Sequence, residues 1–258
     1  MTDQVLVPAS AEEAISQFGS GDGVTIVAGG TIVLPEIAAG RLSPDRALML
    51  HRAGLDTVRS EGGRTVIGAM VPVEALVDHP VDVLAETARH IADSEVRRSA
   101  TVGGNLCAPQ ADDAQRGDLG APRIALGARV RSTGAGGERT EAVEDFLAGD
   151  RSSRLVLEVE FDDVERTTSA DGLRRRHAHS YSIASVIGAV RADTSELRLA
   201  AGGVAPTAVR LRTVEESRNP DDVLKDVQPI DDAIASAAYR SVILPKLVRE
   251  ALDRLESR

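Results

Sequence analysis

Residues 99–107 read SATVGGNLC: two adjacent glycines and an asparagine directly after a β-branched pair. One explanation is an ordinary tight turn. The other is a backbone that must lie against something large and negatively charged, because successive amides without a Cβ shield can hydrogen-bond a phosphate directly. A second stretch, residues 27–35 reading VAGGTIVLP, has the same make-up of strand, glycine pair, threonine and apolar run. Two such pairs about seventy residues apart, each following strand-forming residues, weigh against the plain turn. Neither fits the G-x-G-x-x-G fingerprint or a Walker A lysine loop. Residues 19–23, GSGDG, resemble the former only loosely and read as a surface turn.

Outward from these stretches the chain alternates short strands and helices. Residues 11–18 carry apolar side chains at Ala11, Ala14, Ile15 and Phe18, one helical face, with Ser10 as N-cap. The β-branched run 24–28 predicts a buried strand entering Gly29-Gly30. Further strands are expected at 47–50, 58–60 and 65–68, and helices at 73–77 and 83–91. Residues 123–130 read as helix passing into strand, and 155–161 alternate like a strand. Residues 167–172 read as a linker, followed by strands at 185–191 and 197–203 and a helix-rich end over 231–257.

Composition narrows the function. The 258 residues, 42% of them hydrophobic, suffice for a packed core, and no run approaches the length of a membrane span. No charged-then-apolar leader precedes Val5, so a soluble, cytoplasmic protein is expected. The single Cys107 excludes an intramolecular disulfide, and the chain alone cannot furnish a four-cysteine iron–sulfur or zinc site. A formal net charge of −10 and only five aromatic residues argue against a nucleic-acid surface.

Five ordered stretches together resemble the FAD-binding (medium) subunit of molybdenum hydroxylases, the group that includes the flavoproteins of xanthine dehydrogenase and carbon monoxide dehydrogenase. VAGGTIVLP is similar to that family's first FAD loop and IGAMVPVEAL to its next strand-and-helix segment. IADSEVRRSATVGGNLC resembles the second FAD loop with its lead-in, and is the most specific match. GDLGAPRIALGARV resembles the stretch carrying an FAD-contacting aspartate, which falls on Asp118, and LAAGGVAPTAVR the signature of a smaller C-terminal domain. The resemblance implies an α+β fold: a two-lobed FAD-binding domain of the PCMH type over residues 1–168, then a C-terminal domain with a short antiparallel sheet and helices over residues 172–258. It implies cofactor contacts at Ala28, Gly29, Gly30, Thr31 and Ile32 on one side of the FAD diphosphate. On the other side it implies Thr101, Val102, Gly103, Gly104 and Asn105, with Asp118 and Leu157 completing the set. In this picture Gly103 and Gly104 let the backbone approach the diphosphate, and a Gly103→Val substitution is expected to abolish FAD retention with the fold largely intact. Asp118 orients polar groups of the cofactor, or alternatively caps the helix starting near Ala121. Cys107 reads as a small buried side chain rather than a reactive thiol.

The match is weakest at residues 173–182, LRRRHAHSYS. Where the family pattern has lysine, arginine, aspartate and then an aromatic, this chain has Leu173, His177, Ser180 and Tyr181. Ile32 also stands where the family usually has Asp, Asn or Ser. The phosphate half of the site therefore looks intact and the flavin-ring half altered. One of Arg174, Arg175 and Arg176 stands in for the lysine, or the run is a solvated loop. His177 and His179 share a strand face, but a closed metal site needs further ligands, so no metal is expected. No residue is assigned a catalytic role, and no Ser/His/Asp set supports hydrolysis. The resemblance implies an electron-transfer flavoprotein working with an iron–sulfur small subunit and a molybdopterin large subunit, with no nucleic acid and no membrane. Two rivals stand beside it: a free-standing FAD-dependent oxidoreductase acting on a small organic substrate, with His177, His179 or Tyr181 as acid–base candidates, and a scaffold subunit that has lost the flavin.

Overall fold

The computed structural model describes residues 4–108, 110–111, 114–115, 117–174 and 181–257. His177, His179, Ser180, Arg175 and Arg176 lie outside the described residues.

The first lobe is a parallel three-stranded sheet. Strands β1 (Gln4–Leu6) and β2 (Val24–Val27) flank β3 (Arg46–Met49), because α1 (Ala11–Phe18) carries the chain over the sheet between β1 and β2. The hydroxyl of Ser10 caps α1, accepting from the amide of Glu13, and Ala14 and Phe18 bury the helix's apolar face. A short α2 (Val33–Ala38) follows the first glycine pair.

The second lobe is a five-stranded antiparallel sheet ordered β4-β5-β10-β8-β9, from β4 (Val58–Glu61), β5 (Arg64–Gly68), β8 (Arg129–Gly134), β9 (Arg139–Ala142) and β10 (Arg154–Asp162). Between β5 and β8 the chain makes α3 (Asp82–Arg89), α4 (Ser94–Ser99), α5 (Val102–Leu106), the small ladder of β6 (Gln110–Ala111) with β7 (Ala114–Gln115), and α6 (Gly120–Ala125). The helix α7 (Val143–Ala148) joins β9 to β10. Central β10 explains why its sequence alternates only over its second half. Leu155 and Leu157 pack into the first lobe's core, Val156, Val159 and Phe161 into the second's, and Glu158 and Glu160 point out to arginines. Residues 73–76, expected as the start of a helix, form a single 3-10 turn.

A third layer is the antiparallel sheet β11 (Arg166–Arg174), β12 (Ser182–Arg191), β13 (Leu197–Gly202) and β14 (Val209–Arg210), in chain order. The expected linker 167–172 is thus part of a nine-residue strand, paired from Arg166 to Arg174 with β12. Its polar composition misled: Thr168, Ser169 and Asp171 are buried, because α3 and the C-terminal helix cover the strand. Helices α8 (Arg212–Ser217), α9 (Val223–Asp226) and α10 (Ala237–Glu256) complete the layer. Its core is partly shared, since Ile187, Ala189, Ala200 and Ala208 pack into the second lobe's cluster. Buried Arg240 of α10 ties the layer together, donating to the carbonyls of Ile183, Ile230 and Ala235 and to the Asp232 carboxylate at 2.7 Å. Among the described residues, no helix is long and apolar enough to cross a membrane.

Candidate FAD site

The two glycine stretches meet. An added Cβ on Gly29 would lie 1.8 Å from the carbonyl oxygen of Ser99, so only glycine lets the first loop abut the last turn of α4. The second stretch follows at once: Ala100 leads to Thr101, whose hydroxyl caps α5 by accepting from the Gly104 amide at 3.1 Å. Together they wall a cavity of about 690 Å³, within the range of small-molecule and cofactor sites.

Of the twelve residues expected to touch the cofactor, Ala28, Gly29, Gly30, Thr31, Ile32, Thr101, Gly103, Gly104, Asn105 and Asp118 line this cavity. Val102 and Leu157 do not. Val102 is fully buried in the second lobe's core, and Leu157 packs into the first lobe's. The backbone carbonyl of Leu157 accepts from Ala69 at 2.9 Å, and Ala69 does line the cavity.

The two stretches differ in what they offer an anion. Gly30 takes a positive φ of 72°, which turns the chain from β2 toward α2. Among the described residues, no acceptor takes the amide hydrogens of Gly29, Gly30, Thr31, Ile32 or Val33, all of which belong to the cavity wall. In the second stretch the amides of residues 102–105 are committed. Val102 donates to Val71 O, Gly103 to Ala69 O, Gly104 to Thr101 Oγ1, and Asn105 to Thr101 O. Among the described residues, only the first pair thus leaves its amides without a protein acceptor, while those of Gly103 and Gly104 are taken up internally. Gly103 serves packing: an added Cβ would lie 2.8 Å from Ala69 Cβ and 3.0 Å from its carbonyl oxygen. Gly103→Val would therefore force α5 off β5, and the expected intact fold does not follow.

Asn105 has a second structural task. Its Oδ1 accepts from the Leu119 amide at 3.0 Å, and its carbonyl closes against Gly117, which fixes the turn that brings Asp118 to the wall. Asp118 lies two residues before α6 without capping it, since α6 has no side-chain cap. Desolvation pushes the Asp118 carboxyl up to about 6, with the Arg174 guanidinium opposing the shift. Arg174, itself lowered by desolvation, is thus the described member of the arginine run that acts electrostatically on Asp118. Tyr181, the surviving aromatic of the altered segment, also lines the cavity. Burial pushes the Cys107 thiol up to about 11, against Arg151 and Arg123, which keeps it protonated at neutral pH. Arg123 lies fully buried beneath α5 and donates to Val102 O at 3.3 Å.

Several lining residues carried no signal in the sequence. Residues 90–93 form one wall through a turn with Ala92 at φ 41°, pinned by Arg97, which donates to Ile91 O and Ala92 O and pairs with Glu74 at 2.7 Å. Arg151 and Arg154, after α7, close another side. Only the fold brings them to the same cavity as the glycines.

A glycine-bounded cavity whose wall carries a run of unpaired amides fits the diphosphate of a dinucleotide cofactor. Residues 1–161 match the family described as FAD binding domain in molybdopterin dehydrogenase. The chain belongs to that family. Its cofactor is FAD. Among curated proteins it is 27% identical to the carbon monoxide dehydrogenase medium chain of Hydrogenophaga pseudoflava, over 95% of this chain and 94% of that one. It is 25% identical to the nicotine 6-hydroxylase medium subunit of Paenarthrobacter nicotinovorans, with the same coverage. Among solved structures, the carbon monoxide dehydrogenase from Hydrogenophaga pseudoflava that lacks the Mo-pyranopterin moiety superposes with a TM-score of 0.86 at 24% identity, over 100% of this chain and 98% of that one. The α+β flavoprotein fold expected from the sequence is the fold of this FAD-dependent oxidoreductase chain.

Proposed function

We propose that this chain is the medium, FAD-carrying subunit of a molybdenum hydroxylase-type oxidoreductase. In this role it takes electrons from an iron–sulfur small subunit and delivers them to an external acceptor, while substrate is oxidised on a molybdopterin large subunit. The observation that carries the proposal is the 690 Å³ cavity with the free amides of Gly29 to Val33 on its wall. The medium-subunit relatives, which the chain matches along nearly their whole length, support the assembly. When bound, FAD supplies the redox chemistry, passing electrons singly or in pairs.

This chain's own residues bind and orient. The first-loop amides meet the diphosphate, and the internally bonded α5 turn gives the cradle a wall that needs no ordering on binding. Asn105 holds Asp118 at the cavity, where a carboxyl titrating near 6 serves as hydrogen-bond acceptor at neutral pH. Tyr181 lies at the edge of the same cavity, on the segment where the family pattern changes.

The purified chain is expected to be yellow, with one FAD released per chain on heating. Its flavin should be bleached by substrate only when iron–sulfur and molybdopterin subunits are present. Turnover of a small organic substrate by the isolated chain would instead favour the free-standing flavoenzyme, and a colourless chain that refuses FAD would overturn both.

A further inference from the structure

FAD brings two negative charges into the cavity of a chain whose own net charge is −10. Free amides of one loop donate hydrogen bonds but carry no full charge, and the α5 amides are already committed. A diphosphate in such a place calls for a cation.

Besides Cys107 and Tyr181, the described titratable groups on the cavity wall are His90, Asp93, Asp118, Arg151 and Arg154. Most are engaged. Asp93 caps α4, accepting from the Val96 amide at 2.7 Å. His90 Nδ1 meets Glu86 O at 2.8 Å. Arg154 is held by Ser132 Oγ and by the carbonyls of Ser132, Ala135 and Gly137. Arg151 differs. Among the described residues its single hydrogen bond is a long one, 3.4 Å from Nη1 to Leu106 O, and no carboxylate pairs with it. Elsewhere Arg97, Arg210 and Arg240 pair with carboxylates, while buried Arg123 and Arg154 are held by backbone carbonyls and Ser132. The neighbouring Asp150 is turned away, accepting from Ser152 and Ser153.

We propose that Arg151 is the side chain that meets the FAD diphosphate, across the cavity from the free amides of the first glycine loop. The proposal rests on FAD occupying this cavity. Its guanidinium is tethered at the C-terminal end of α5, whose Thr101, Gly103, Gly104 and Asn105 share the wall with Gly29 to Val33. A planar fork of donors, four of whose N–H groups meet no acceptor among the described residues, matches two phosphate oxygens.

The test is flavin-fluorescence titration of the full-length apoprotein with two probes, FAD and riboflavin, the second lacking phosphate. Arg151→Gln should weaken FAD binding about tenfold to a hundredfold, the usual effect of losing a hydrogen bond to a charged group. It should leave riboflavin affinity unchanged and flatten the dependence of FAD affinity on ionic strength, with Arg151→Lys intermediate. Unchanged FAD affinity in Arg151→Gln would refute the proposal. An equal loss for both probes would refute it too, showing that Arg151 only supports α5 through Leu106. A wild-type apoprotein that binds riboflavin and FAD equally, or neither, would overturn the diphosphate site itself rather than the choice of arginine.

Discussion

Gly29→Ala is the sharpest probe of how the site is assembled. Its Cβ would lie 1.8 Å from Ser99 O and 2.7 Å from Ser99 C. Both are backbone atoms, so no side chain can swing aside. Restoring an ordinary contact of about 3.4 Å requires the first loop and the end of α4 to part by about 1.6 Å. Overpacking of this kind costs about 1–3 kcal/mol. For a chain of this size that lowers the apoprotein Tm by about 2–12 °C. The same displacement moves the free amides of Gly29 to Val33 relative to α5, so FAD affinity should fall about tenfold or more, the equivalent of one lost charge-assisted hydrogen bond. Gly104→Ala is the matched control. Its Cβ meets Thr101 Oγ1 at 3.0 Å and Ala28 Cβ at 3.7 Å, contacts that small shifts relieve. Differential scanning calorimetry of the apoproteins and fluorescence titration with FAD read both effects. A Gly29→Ala protein with wild-type Tm and full flavin content would show that the two loops are not in contact as described.

Asp118→Asn should stabilise the apoprotein above pH 6. The native carboxyl holds its proton up to about 6 against a usual 3.8, so ionising it costs the fold about 1–3 kcal/mol, a cost absent below pH 4 and complete above pH 6. Melting curves from pH 4 to 8 check this, and a gain independent of pH would exclude it. Arg240→Met should cost about 3–5 kcal/mol in urea unfolding, because it leaves Asp232 buried without its partner. Desolvation alone would raise Asp232, but Arg240 and the amides of Ala235 and Ile234 hold it below the usual carboxylate range. The pair's contribution is therefore present above pH 4 and fades as pH falls further. Cys107 in the apoprotein should react with iodoacetamide about a hundredfold more slowly at pH 8 than an ordinary thiol, the rate climbing toward pH 11. An alkylation midpoint near 8.5 would contradict the burial described.

Much of the fold was legible because its local signals agree. Ser10 before the apolar face of residues 11–18, and the β-branched run 24–27, made the elements they promised. The flavoprotein family was legible from short glycine motifs that few other folds require. What misled was chemistry that only tertiary packing decides. Thr168, Ser169 and Asp171 read as linker yet lie in a covered strand, where Arg254 meets Asp171 at 3.0 Å. Gly103 carries the right motif for a phosphate loop, but its missing Cβ makes room for Ala69, while Gly29 makes room for Ser99. The sequence distinguishes a glycine needed for a neighbour from one needed for a ligand only when the neighbour is known. Arg151 was silent for the same reason, since nothing around residues 149–154 announces that it faces a cavity built 45 residues earlier at Leu106.

The shared core between the second lobe and the C-terminal sheet has a thermodynamic reach. Ile187, Ala189, Ala200 and Ala208 bury their side chains among residues from α3 to β10, while the opposite face of their sheet packs on α10. Severing the chain after the family-matched segment would strip those side chains of their cover and leave apolar surface on both fragments. The second lobe and the C-terminal sheet are therefore expected to melt together, as a single calorimetric transition. By mass action, cofactor captured at the glycine loops stabilises α10 on the far side of the molecule as much as it stabilises the cradle.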